Sequence, residues 1–141
     1  MQIITKNAYL VTLQRIIDDK DGILTIAESG KQIPFKIKRV YFITDTFYKS
    51  SERGHHAHKD LEQVIFCING SFKLLLNDGN NEQEVILDKP DQGIFLGKEL
   101  WHTMSDFSDN CIILVMSSDL FNENDYIRDF EEFKKYLKTI N

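Results

Sequence analysis

The sequence predicts an all-β fold, a barrel or double-sheet roll, with one α-helix at its C-terminal end. Short β-branched and aromatic runs recur along most of the chain, and turn clusters separate them at nearly regular spacings of about 8–12 residues. Helical periodicity appears only after Asn124. At 141 residues, with 42% hydrophobic and 28% charged side chains, the chain has the make-up of one soluble globular domain. A domain of this size can bury about two-thirds of the surface its unfolded chain exposes. The expected organisation is a single domain over residues 1–141, with the barrel in 1–122 and the helix in 123–141.

Tyr9 to Ile17 is apolar-rich and ends in the turn cluster Asp18-Asp19-Lys20-Asp21-Gly22. Ile23 to Ala27 is a second strand, closed by Glu28-Ser29-Gly30-Lys31. Ile37 to Thr44 has the β-branched and aromatic content of a third. Phe47 to Glu52 is polar and reads as loop. The histidine-rich stretch from Arg53 follows, and then Gln63 to Ile68, a continuous apolar run suited to a strand covered on both faces. Asn69-Gly70 is a strong hairpin signal, which makes Ser71 to Leu76 the partner strand. Asp78-Gly79 turns into Glu84 to Leu87, and Pro90-Asp91-Gln92-Gly93 into Ile94 to Leu96. After the turn at Gly97 to Glu99, Trp101 to Met104 and Cys111 to Ser117 complete the set.

Between Asn124 and Ile140 the residues Tyr126, Ile127, Phe130, Phe133, Tyr136, Leu137 and Ile140 recur at helical spacing. That pattern predicts an amphipathic helix packed across the sheet or against a partner subunit. Asn122 or Asn124 can cap its start, and Lys134, Lys135 and Lys138 suit its end.

A net charge of -5 argues against a nucleic-acid-binding domain. No apolar run approaches the roughly 18 residues of a membrane span, and Met1 to Lys6 lacks a signal-peptide core. The expectation is a cytoplasmic protein with no membrane partner. Cys67 and Cys111 both lie in apolar runs and read as buried free thiols.

The chemistry concentrates in Arg53-Gly54-His55-His56-Ala57-His58-Lys59, followed by Glu62. Three of the four histidines fall in this stretch. On a strand, His56 and His58 at i, i+2 point to the same face. Two imidazoles on one face can bind a metal or move protons near neutral pH. His56, His58 and Glu62 have the spacing of metal ligands, and His102 can complete the set. Yet Arg53 and Lys59 flank the cluster, and Lys38-Arg39 precedes it. Cations beside the histidines of an acidic protein suit an anionic substrate such as a diphosphate, which arginine can grip with two hydrogen bonds. Tyr41, two residues after Arg39, can present its hydroxyl on the same side, and Trp101 is either core or a stacking surface for a base.

His56-Ala57-His58-Lys59-Asp60-Leu61-Glu62 resembles the first half of the cupin signature, and Gly93, Gly97 and His102 resemble the second. The resemblance implies a cupin-type double-stranded β-helix, or jelly roll, with His56, His58, Glu62 and His102 lining its interior. Across almost the whole chain the sequence is similar to the dTDP-4-keto-6-deoxyglucose 3,4-ketoisomerases of the cupin superfamily. The carriers are Ile33-Pro34-Phe35, Ile37-Lys38-Arg39-Val40-Tyr41, the Arg53–Lys59 run, Leu61-Glu62-Gln63, Asn69-Gly70-Ser71, Leu100-Trp101-His102 and Asp125-Tyr126-Ile127-Arg128.

That resemblance implies a homodimer with no metal and no cofactor, acting on a dTDP-linked 4-keto-6-deoxyhexose in deoxyaminosugar synthesis for surface glycans. By that likeness His56 is the base at C3, His58 orients it or shares its proton, and Tyr41 sits by the hexose. Arg53 and Arg39 hold diphosphate or a sugar oxygen, and Lys59, Gln63, Trp101 and His102 complete the substrate contacts. The family often carries a basic residue directly before the glycine opening the second strand. Lys20-Asp21-Gly22 departs from that pattern, so no site residue is assigned there. A dTDP-sugar 3,5-epimerase, a metal-dependent cupin enzyme and a small-molecule-sensing cupin domain are the alternatives.

Overall fold

The computed structural model describes residues 1–48 and 50–141. Lys49, within the expected Phe47–Glu52 loop, lies outside the described residues. Two five-stranded antiparallel sheets face each other. The first runs β1 (Ala8–Thr12), β9 (Gln92–Leu96), β6 (Gln63–Asn69), β11 (Ile112–Ser117), β4 (Arg39–Ile43). The second runs β12 (Tyr126–Ile127), β5 (Arg53–His58), β10 (Trp101–Ser105), β7 (Phe72–Asn77), β8 (Glu82–Leu87). A separate hairpin pairs β2 (Gln14–Ile17) with β3 (Ile23–Ile26). No helix among the described residues is long and apolar enough to cross a membrane.

Strand alternation builds the core. Ile65, Cys67, Ile94, Leu96, Ile113 and Val115 from the first sheet meet Phe72, Leu74, Leu76, Val85 and Leu87 from the second. The opposite face of the first sheet is covered as well. Val64, Phe66 and Phe95 pack there under Val11, Leu13 and Ile33. β6 is therefore buried on both faces, as its unbroken apolar run requires.

Three expectations change. Tyr9 to Ile17 is two strands: at Leu13, whose N–H bonds the Asp91 carbonyl at 2.8 Å, the chain leaves β9 and turns into the β2–β3 hairpin. Asn69-Gly70 is not a hairpin turn. β6 pairs with β9 and β11, and β7 with β10 and β8, so this turn carries the chain from one sheet to the other. Gly70 still earns its place with φ +74, because a Cβ there would strike Ser108 and Asn110.

The third change is at the tail. The helix α1 runs Phe130–Ile140, and its cap is Asp129, whose carboxylate accepts the Glu132 N–H. Asn122 caps a short 3-10 turn over Glu123–Asp125 instead, and Tyr126-Ile127 pairs with β5 as a strand. The apolar face of α1 packs on the outer side of the second sheet. Phe133, fully buried, joins Ala57, Trp101 and Ile127 there. Each such large apolar side chain is worth about 1.5–3 kcal/mol on burial.

Candidate active site

β5 and β10 present the histidines. His102 is the register partner of His56, and their ring centroids lie 4.7 Å apart. His58 is 4.9 Å from His56, edge-on, and 6.1 Å from His102. The i, i+2 spacing does place His56 and His58 on one inward face. Arg53 is an odd number of residues from both, and a regular strand would turn it away. A β-bulge removes that conflict. His102 pairs with His56 but Thr103 pairs with Gly54, so His55 is the extra residue and points outward, exposed, with φ +57. Beyond the bulge Arg53 pairs with Met104 and shares the inner face. Gly54 permits this with φ +88, since a Cβ there would stand 2.8 Å from the His102 carbonyl oxygen.

The inner face opens into a cleft of about 470 Å³. Arg39, Tyr41, Arg53, His56, Tyr126 and Arg128 line it together with Ile43, Glu52, Gly54 and Met104. Of the three clustered imidazoles, His56 faces the cleft. His58 and His102 stand behind it, each 3% exposed. His56 Nδ1 donates to the Gly54 carbonyl at 3.0 Å; a carbonyl can only accept, so the proton is on Nδ1 and the Nε2 lone pair is available. Burial, then the neighbouring His58, lowers the His56 pKa from 6.5 to about 4. Burial also lowers His58, against the pull of Asp125, and lowers His102 well below its ordinary value. Near neutral pH His56 is thus an uncharged base in a cationic cleft.

Tyr41 is fixed from behind. Its hydroxyl accepts from Gln63 Nε2 at 3.1 Å, and the same nitrogen donates to Ser117 Oγ at 3.2 Å. The phenol proton remains free to be given to a substrate oxygen. Burial raises the Tyr41 pKa, which keeps the phenol protonated. The Arg39 guanidinium lies 5.4 Å from the Tyr41 ring centroid.

Several expected contacts fall elsewhere. Gln63, 2% exposed, holds Tyr41 in place and does not line the cleft. Trp101 alternates with His102 and points to the opposite face, where it packs on Phe130 and Phe133 under α1 with 7% exposure. Lys59 follows the same alternation beyond the end of β5 and does not line the cleft; its N–H bonds the Asp125 carbonyl. Lys38 sits on the surface opposite Asp119. Glu62 is not with the histidines: it precedes β6 in the first sheet, and its charge acts on Tyr9 of β1 in that same sheet. Ring nitrogens of His56, His58 and His102 lie within 4.8 Å of one another, near enough for an ion to be drawn between them, without the carboxylate that the sequence pattern suggested.

Asp125, Tyr126 and Arg128 entered the sequence reading only as part of the family likeness, with no place at the site. The Tyr126 ring stands edge-on to His56 and His58, at 5.0 and 4.4 Å. The Arg128 guanidinium covers the Tyr126 ring at 4.2 Å and makes two hydrogen bonds to Glu123. One signal could have found them. Asp129 and Glu132 have capping spacing, which starts the helix after Arg128 and frees the preceding residues to reach the barrel.

This cleft gathers a neutral imidazole base, a phenol donor and three guanidiniums, a set suited to moving a proton on an anionic substrate. A family model described as FdtA, WxcM-like, C-terminal matches residues 6–138. A curated TDP-4-oxo-6-deoxy-alpha-D-glucose-3,4-oxoisomerase from Aneurinibacillus thermoaerophilus is 49% identical over 133 residues, 94% of each chain. The chain belongs to the sugar 3,4-ketoisomerase family. It is an isomerase. Among solved members, the 3,4-ketoisomerase from Helicobacter canadensis is 42% identical, with TM-score 0.89 over 94% of this chain and 98% of that one. A mutant of the ketoisomerase QdtA from Thermoanaerobacterium thermosaccharolyticum, in complex with TDP-4-keto-6-deoxyglucose, is 38% identical. Its TM-score is 0.91 over 96% of this chain and 97% of that one. The cupin-type roll is thus the fold of a ketoisomerase family member.

Proposed function

We propose that this ketoisomerase acts on dTDP-4-keto-6-deoxyglucose and moves its keto group from C4 to C3 through an enediol. The observation that carries the reading is His56, the imidazole on the cleft wall, held with Nδ1–H on the Gly54 carbonyl beside three arginines. The C4 carbonyl acidifies the C3 hydrogen, and His56 Nε2 removes it. Tyr41, held by Gln63, donates toward the oxygen on which charge develops. Return of a proton to C4, with the O3 hydroxyl proton leaving to replace the one Tyr41 gave, completes the shift. Oxidation at C3 and reduction at C4 occur within one molecule, so no redox cofactor enters. Arg39 and Arg53 hold the diphosphate or a sugar oxygen. The same reading places the enzyme in the cytoplasm, in deoxyaminosugar synthesis for surface glycans.

The assembly is proposed to be a homodimer. Val40 and Phe42 on the edge strand β4, and Ile17, Ile23 and Leu24 on the β2–β3 hairpin, are all at least half exposed, large apolar side chains that a second copy could cover. Sedimentation should give twice the 16.5 kDa chain mass, and a monomer at micromolar concentration removes this part.

NMR of the product formed from dTDP-4-keto-6-deoxyglucose in deuterated water tests the reaction. A relocated carbonyl supports isomerisation. Deuterium at C3 and C5 with the carbonyl still at C4 points to the 3,5-epimerase alternative, which has less support because the relatives named above are ketoisomerases. Stoichiometric Fe, Mn or Ni in protein purified without chelator would turn the reading to a metal-dependent one.

A further inference from the structure

Asp125 has no part in the chemistry just described, yet it is fastened to it. It lies 67 residues from His58 in sequence, and its Oδ2 accepts from His58 Nδ1 at 3.0 Å. The carboxylate is tied on its other sides too. Oδ1 accepts the Asp60 N–H at 2.8 Å, Oδ2 also accepts the Leu61 N–H at 3.3 Å, and the main-chain carbonyl accepts the Lys59 N–H at 3.0 Å. These contacts all fall on the segment directly after β5, so Asp125 cannot swing away without releasing the end of the histidine strand.

An ionised carboxylate only accepts hydrogen bonds, so His58 must carry its proton on Nδ1. The surroundings otherwise oppose positive charge here. Arg39 and Arg128 disfavour a protonated His58, and Asp125 is the carboxylate that favours it. His56, edge-on to His58 at 4.9 Å, faces the cleft in front of this pair. When the base in front takes up a proton, a fixed negative charge behind the two rings offsets the charge that develops.

We propose that Asp125 is a positioning residue: through its Nδ1 hydrogen bond it fixes His58 in one tautomer and holds a negative charge behind the His56–His58 pair. The part of this that concerns turnover rests on the ketoisomerase reading; the tautomer does not.

The experiment compares wild type with Asp125→Asn. The variant keeps an oxygen for one backbone N–H but loses the charge and sets an amide N–H2 against either a donor or His58 Nδ1. Nitrogen-15 NMR of the imidazoles, assigned with His58→Asn, reads which ring nitrogen carries the proton. Wild type should show His58 protonated on Nδ1, and the variant should lose that state. Turnover should fall by about 10²-fold, the lower end of what a placed acid–base group contributes. KM and TDP affinity should stay within roughly twofold, the signature of an interaction used in the transition state. Unchanged turnover overturns the proposal, as does a fall in TDP affinity that matches the fall in turnover, which would mean a fastening role only. Should the variant fail to fold, the wild-type spectrum decides alone, and a His58 proton on Nε2 overturns the proposal. Wild type with the expected tautomer but no isomerisation of dTDP-4-keto-6-deoxyglucose sinks the ketoisomerase reading and, with it, the turnover half of the proposal.

Discussion

His56 and His58 are the same residue type on one face of one strand, yet their neighbours set them to different work. His56 has a carbonyl on Nδ1 and the cleft before it. His58 has a carboxylate on Nδ1 and stands 3% exposed behind it. The base should therefore be His56. His56→Asn should lower turnover by about 10²–10⁴-fold with TDP affinity nearly unchanged, measured by product NMR and calorimetry. Equal turnover would remove His56 from that role. The group must be neutral to act, and its pKa is lowered to about 4. Activity should thus rise with pH through about 4 and be level by pH 6; an acid limb of kcat/KM near 6.5 would mean that the base is a more solvated histidine. At this scale the sequence was informative about residue types. It placed Tyr41, Arg39 and Arg53 at the cleft and misplaced Gln63, Lys59 and Trp101. The last two fail for one reason: alternation turns a strand residue next to a site residue to the other face.

The decisive element is the bulge in β5. Without the extra residue, Arg53 would face away from His56, and the cleft would lose one of its three guanidiniums, one proposed to hold the diphosphate or a sugar oxygen. Gly54→Ala tests this. A Cβ would meet the His102 carbonyl at 2.8 Å on a backbone at φ +88. Strain of this kind costs on the order of 1–3 kcal/mol. The expected result is a lower melting temperature together with weaker TDP binding. Wild-type stability and affinity would show that the bulge does not need glycine. The tail teaches a related lesson. Apolar residues at helical spacing begin at Tyr126, but Tyr126 and Ile127 belong to a strand on β5 and the helix starts only at Phe130. Two apolar residues fit either period, and tertiary pairing decided between them.

For the whole molecule, the buried histidines couple the site to stability. His56, His58 and His102 all have folded-state pKa values below 6.5. The unfolded chain then binds more protons, so their contribution is fully present above about pH 6.5 and is lost as pH falls through the folded values. For His56 alone the shift to about 4 corresponds to about 3 kcal/mol. The melting temperature should fall steeply between pH 6.5 and 4, and His102→Gln should flatten that fall. A pH-independent melting temperature over this window would contradict the buried neutral cluster.

What the sequence determined by itself is local: period-two runs, turn residues, and a histidine spacing that shares one face whatever the fold. Those features follow from backbone geometry and hold before any long-range contact forms. Only the tertiary structure decided that Asn69-Gly70 joins two sheets, that Glu62 leaves the histidines, and that from the far end of the chain Tyr126 and Arg128 line the cleft while Asp125 holds His58 behind it. Each of these depends on which strands pair. Pairing is set by burying both faces of β6 and one face of α1 at once, a condition on the whole molecule that no short stretch of sequence carries.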